Sequence, residues 1–221
     1  MRKSAIFLLF VAFCLTILGL SAQGGIAVPP QTARTKTEAE GKQKPEDSKQ
    51  RPVAKSKVYL LHSDLLRKDA THPDAQIVTG NVRFRHDSVY MYCDSACYYD
   101  KVSSFEAFGN VKMVQGDTLF LYGDRLYYDG LTQIAEMRCN VRMENRTTTL
   151  LTDSLNYDRV YNLGYFFDGG TLMDEQNVLT SEWGEYSPQT KQSVFNYNVK
   201  LVNPQFTLTS DTLRYNTASK I

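Results

Sequence analysis

Histidine is nearly missing from this chain: three in 221 residues, His62, His72 and His86. No two stand at a metal-ligand spacing, so an imidazole-built metal centre is not expected, and all three read as surface or turn residues. Cysteine is scarce too. Cys14 lies in the first apolar run, which leaves Cys93, Cys97 and Cys139, an odd number. On extended chain the Cα atoms of Cys93 and Cys97 stand about 13 Å apart, too far for a disulfide. Pairing of either with Cys139 stays open beside the reading as small buried hydrophobes. No GxSxG, HExxH, P-loop or GxGxxG stretch is present, so the familiar hydrolase, metalloprotease and nucleotide signatures give no support to an enzyme. No convincing amphipathic helical period is found, and no cofactor is expected.

Excess charge is lacking as well, with 25 basic and 24 acidic residues. That balance hides a division. Arg2 and Lys3 precede an apolar run from Ala5 to Leu20, and Leu20-Ser21-Ala22 suits cleavage before Gln23. Residues 1–22 therefore read as a secretory signal, too short for a membrane span. Phe13 stands where a lipobox before Cys14 would need a small residue. Residues 23–57 hold Pro29, Pro30, Pro45 and Pro52 among Lys, Glu, Gln and Thr, with eight basic and four acidic residues. Such a segment cannot bury enough to offset its ordering entropy and reads as a disordered tether. From Val58 onward come 15 basic and 20 acidic residues and all 14 tyrosines. An acidic body without a Lys/Arg stripe argues against nucleic acid.

What the body does have is a repeat. Acids stand at Asp64, Asp94, Asp124, Asp153, Glu182 and Asp211, at intervals of 30, 30, 29, 29 and 29. Four residues after each of the last five stands a tyrosine: Tyr98, Tyr128, Tyr157, Tyr186 and Tyr215. Around Asp124 the apolar residues fall at minus five and minus three (Leu119, Leu121), then at plus two and plus four (Leu126, Tyr128). A strand has a period of two, so this phase change requires a bulge or corner at the acid. An even acid ladder without the glycine-rich nonapeptide of Ca²⁺-binding solenoids reads as structural. The tyrosine column admits three readings: plain sheet packing, a polar rim, or a lipid-facing row.

A second landmark recurs as Gly80-Asn81-Val82, Gly109-Asn110-Val111, Cys139-Asn140-Val141 and Asn198-Val199. After it, Val82/Phe84, Val111/Met113, Val141/Met143 and Val199/Leu201 share one face, while Arg83, Lys112, Arg142 and Lys200 share the other. That alternation is a half-buried strand. The expected body, 58–221, is all-β: an open two-sheet jellyroll or solenoid-like stack of about six repeats of about 30 residues.

The stretches GNVRFRHDSVYMYCDSACYYD, GNVKMVQGDTLFLYGDRLYYD and CNVRMENRTTTLLTDSLNYD resemble the OstA-like family. That family comprises the periplasmic lipopolysaccharide-transport bridge and the N-terminal domain of the outer-membrane lipopolysaccharide assembly protein. The resemblance covers the whole repeat body. It implies an open β-jellyroll whose interior holds the acyl chains of lipopolysaccharide, and partner proteins of the same kind stacked on its strand edges. It also implies a non-enzymatic periplasmic scaffold, with association to the outer membrane left open. A structural or adhesive β-solenoid is the competing reading. By parity, Phe84, Met91, Met113, Leu119, Leu121, Met143, Leu150, Leu201 and Leu208 are expected to point inward, where the resemblance implies that they meet the lipid. Unit four departs from the pattern: Gly170-Thr171 replaces Asn-Val, and Glu182-Trp183-Gly184 replaces Asp-x-Leu.

Overall fold

A computed structural model describes residues 56–69 and 72–221. The expected leader lies outside them, as does the expected tether except for Ser56 and Lys57. Fourteen strands form one antiparallel sheet: β1 (Tyr59–His62), β2 (Leu65–Asp69), β3 (His72–His86), β4 (Val89–Tyr99), β5 (Ser104–Gln115), β6 (Leu119–Asp129), β7 (Ile134–Asn145), β8 (Thr148–Asp158), β9 (Leu163–Phe166), β10 (Gly170–Met173), β11 (Val178–Ser181), β12 (Trp183–Tyr186), β13 (Gln192–Asn203) and β14 (Phe206–Asn216). A short 3-10 turn, Asp100–Val102, joins β4 to β5. β1 and β2 both pair with β3, β9 and β10 both pair with β8, and β11 and β12 both pair with β13. Each of these couples is one bent strand in two halves. The chain is thus a meander of eleven bent rungs.

The bend has a single local cause. Between the pairs Phe108↔Arg125 and Val111↔Gly123, two residues of β5, Gly109 and Asn110, face one residue of β6, Asp124. The same two-against-one count puts Gly80-Asn81 opposite Asp94, Cys139-Asn140 opposite Asp153, and Tyr197-Asn198 opposite Asp211. Both residues of each pair have φ between +45° and +80°, a left-handed pair that turns the strand through a corner. Glycine and asparagine tolerate that region best. The extra residue therefore sits on the Gly-Asn strand, and the acid is the single residue facing it. The two expected sheets are the two arms of one sheet folded along this row of corners.

Alternation about the corner sends the apolar residues of both arms inward. One wall carries Val82, Phe84, Met91, Val111, Met113, Leu119 and Leu121; the other carries Phe105, Ala107, Leu126, Met137 and Leu155, all buried. Aromatic rings bridge the walls: Phe84 stacks on Phe105 with centroids 4.1 Å apart and tilts against Tyr98 at 5.4 Å. Offset ring pairs of this kind add about 1 kcal/mol beyond burial. The departure in unit four has a packing reason. A Cβ on Gly170 would meet the Phe166 ring at 2.6 Å, and one on Gly184 would meet both Phe166 and Phe195. The rings fill the space that leucine fills elsewhere.

Candidate functional site

The interior between the walls is the candidate site. Of the nine residues expected there, Phe84, Met91, Met113, Leu119, Leu121, Met143, Leu150 and Leu201 are buried, at 6 % exposure or less. They form one apolar column crossing β3 to β13. Leu208 pairs with Leu201 and shares its parity. Among the described residues no strand lies over it, and it is 38 % exposed. At the other end Leu61, Leu65 and Leu66 are likewise exposed.

The tyrosine column joins the interior: Tyr98, Tyr128, Tyr157, Tyr186 and Tyr215 are all buried. Burial at the seam is what the fold shows. Each tyrosine sits near the free end of its arm, opposite the corner, and Tyr98, Tyr128 and Tyr215 send their hydroxyls across to the other arm. Tyr98 donates to the Val58 carbonyl at 2.8 Å. Tyr128 meets His86 Nδ1 at 2.7 Å. Tyr215 donates to Asp174, on the β10–β11 turn, and accepts from Asn177. Tyr157 donates to Asn162 at 3.3 Å, an amide that also takes Gln115 Nε2 from the far arm at 2.9 Å. Tyr186 points between Thr148 and Thr217 without a close partner. Burial raises the pKa of every one of these phenols, that of Tyr128 to about 12, so each stays a neutral donor.

Loop residues complete the clasp. Asn162 with Gln115, Lys191 with Asn145, and Lys220 with Asp174 join turns of the two arms. Arg159 reaches from the β8–β9 turn to Tyr128, His86 and Asp87. His86 flanks the β3–β4 turn but is no surface residue: it closes β3 in the seam, fully buried. Arg159 can only donate, so His86 Nδ1 is the acceptor and Nε2–H donates to Ser56. Burial, and then the Arg159 charge, lower its pKa. Asn145 is buried and bonded to Lys191. Cys93 is a buried free thiol pushed up to about 12 by burial, and Cys139 is an exposed free one, so no disulfide joins Cys139 to either partner considered.

The corner acids have a partner that the sequence pattern did not suggest. Asn81 Nδ2 donates to Asp64 at 2.9 Å and Asn110 Nδ2 to Asp94 at 2.8 Å. Asn140 does the same to Asp124, and Asn198 to Glu182. Backbone donors to these acids are secondary, as in Asn140 N–H to Asp153 at 3.3 Å. The signal was there to be found: an asparagine follows each of these acids by 16 or 17 residues. Among the described residues, no group of three or more His, Cys, Asp or Glu is placed to hold a metal ion. No helix among them is long and apolar enough to cross a membrane, which says nothing of strands.

One antiparallel sheet, creased along a row of bulges and closed over an apolar interior, defines an all-β stack of the jellyroll kind. Over residues 55–211 the sequence matches the OstA-like protein family, and the chain belongs to that family. Among solved structures sixteen chains match. One is LptH from Pseudomonas aeruginosa, described as the LptA-homologous periplasmic component of the conserved lipopolysaccharide transport device. It is 13% identical, with a TM-score of 0.43, over 47% of this chain and 78% of that one. No curated protein matches.

Proposed function

We propose that this chain is a non-enzymatic periplasmic scaffold that carries the acyl chains of lipopolysaccharide between its two walls on the way to the outer membrane. The observation that supports it is the continuous apolar column from Phe84 to Leu201, closed by backbone at the corners and only by side chains at the seam. Acyl chains need an apolar lining and no directional chemistry. The end rungs of the described sheet, with exposed Leu61, Leu65 and Leu66 at one and Phe206 and Leu208 at the other, suit strand-edge contact with further proteins of the transport complex. Membership of the OstA-like family points the same way.

One observation favours the alternative of a structural or adhesive stack without lipid: the walls are already in contact through the Phe84–Phe105 stack. A photo-crosslinking residue separates the two readings. Placed at Met113 or Leu121 it should capture lipopolysaccharide; placed at Arg125, exposed on the outer face of the other wall, it should not. Equal capture from Met113 and Arg125, or none from either, removes the lipid reading.

A further inference from the structure

The outer face of the first wall, the arm built from β1 and the Gly-Asn-side halves of β3 to β8, is not an ordinary solvated face. Register places Arg83, Tyr92, Lys112, Tyr122 and Arg142 directly opposite one another in a row across five strands. Cations and aromatics alternate along it. A second row, one residue pair nearer the seam, sets Arg85 between Tyr59 and Tyr90. The cations lean over the rings: Arg142 lies 4.2 Å from the centroid of Tyr122, with Lys112 at 5.6 Å, and Arg85 lies 5.8 Å from Tyr59. Tyr59, Tyr90 and Tyr92 are each more than a third exposed.

The charge is one-sided. On this face, from β3 to β8, four cations meet a single acid, Glu144, which pairs with Arg142. Among the described residues, no carboxylate lies within ion-pair distance of Arg83, Arg85 or Lys112. On the other wall, β5 to β7 carry Glu106 and Glu136 against Arg125 and Arg138, and Arg138 pairs with Glu136. Yet the body as a whole is acidic, with 20 acids to 15 bases. The corner acids border the basic face along one edge, and those at Asp94 and Asp124 are engaged by Asn110 and Asn140.

From this pattern we infer that the outer face of the first wall docks on an anionic bilayer surface. Exposed basic residues supply attraction to anionic headgroups. Half-exposed tyrosines are the side chains that settle at the headgroup level. A glycan would need bare aromatic faces to stack on, and the Tyr122 face is already taken by Lys112 and Arg142. This inference is independent of lipid carriage in the interior.

The test is co-sedimentation of the chain from Gln23 with vesicles. One set is phosphatidylcholine alone; the other contains phosphatidylglycerol as well. Each cation held at an anionic surface contributes about fivefold. Binding should require phosphatidylglycerol. The triple variant Arg83→Gln, Arg85→Gln, Lys112→Gln should bind at least tenfold more weakly, with an unchanged melting temperature. A charge-matched control on the opposite side, Lys101→Gln, Arg125→Gln, Arg214→Gln, should stay within twofold of the parent. Tyr90→Ser with Tyr92→Ser should weaken the binding that survives high salt. Equal loss in the triple variant and the control would reduce the effect to overall charge and overturn the assignment. So would failure of the parent to bind phosphatidylglycerol vesicles, including the case in which it binds a soluble phosphorylated oligosaccharide instead. Crosslinking from Met113 reports on the interior and stays informative whichever way the vesicle result falls.

Discussion

Replacing Gly109 with alanine tests the corner directly. Gly109 has φ +74°, and a Cβ there would stand 2.5 Å from Asp94 Oδ2 and 3.1 Å from its Cγ. Gly116, in the β5–β6 turn, has φ +61°, but a Cβ there would meet nothing within 4 Å. Left-handed backbone costs an L-residue roughly 1–2 kcal/mol, offset by about 0.5 kcal/mol from the stiffer unfolded chain. Gly116→Ala should therefore cost about 1 kcal/mol. Gly109→Ala bears the same strain and must also push the Asp94 carboxylate off Asn110, a hydrogen bond worth about 1 kcal/mol on an exposed ridge. Its total should reach about 2–3 kcal/mol. Urea unfolding followed by circular dichroism measures both, provided the slope is unchanged. Adding Asp94→Ala to each glycine variant completes the cycle. Coupling of about 1 kcal/mol is expected with Gly109 and none with Gly116. Equal costs for the two glycine variants, or no coupling to Asp94, would refute the claim that glycine is required there by the acid packed over it.

Two further outcomes follow from the seam. Tyr215→Phe removes a donor to the Asp174 carboxylate and should cost about 1–2 kcal/mol, whereas Tyr186→Phe, whose hydroxyl has no close partner, should be nearly neutral in the same urea assay. His86 is held neutral in the folded state, with its pKa lowered from 6.5 by burial first and Arg159 second. A lowered folded pKa means that the unfolded chain takes up the proton more readily. The contribution of His86 is then fully present above pH 6.5 and is lost as pH falls below it. The melting temperature should drop below pH 6.5 in the parent and drop less in His86→Gln; parallel curves would sink this assignment.

Much of this architecture can be read from residue type and interval. The 29–30-residue spacing of the acids and the change of parity at each one locate the crease, because a strand cannot change phase without a bulge. Parity also identifies the eight buried residues from Phe84 to Leu201. The partner of each acid was less legible, since asparagine reads first as a turn former and only pairing shows which carboxylate it meets. Tyrosine was ambiguous because one side chain carries a ring to bury and a hydroxyl to satisfy. Its hydroxyl could be placed only once the far arm's turns were known. His86 had no periodic counterpart to betray it, and Arg159 reaches it from 73 residues away. Leu208 obeys the parity rule, but parity says nothing about whether a neighbouring rung covers a residue.

The backbone hydrogen bonds of this sheet run from rung to rung along the stack, and among the described residues none runs from one wall to the other. Spreading the walls about the row of corners, as the covers of a book turn about its spine, therefore breaks no ladder bond. Such a motion has to undo the clasps at the fore-edge and wet the facing apolar surfaces. The resistance to opening resides in side chains such as Tyr128, Arg159 and Lys220, while the resistance to stretching resides in the backbone. These two stiffnesses can be changed independently by substitution. A chain built this way can be made easier to open without being made easier to pull apart.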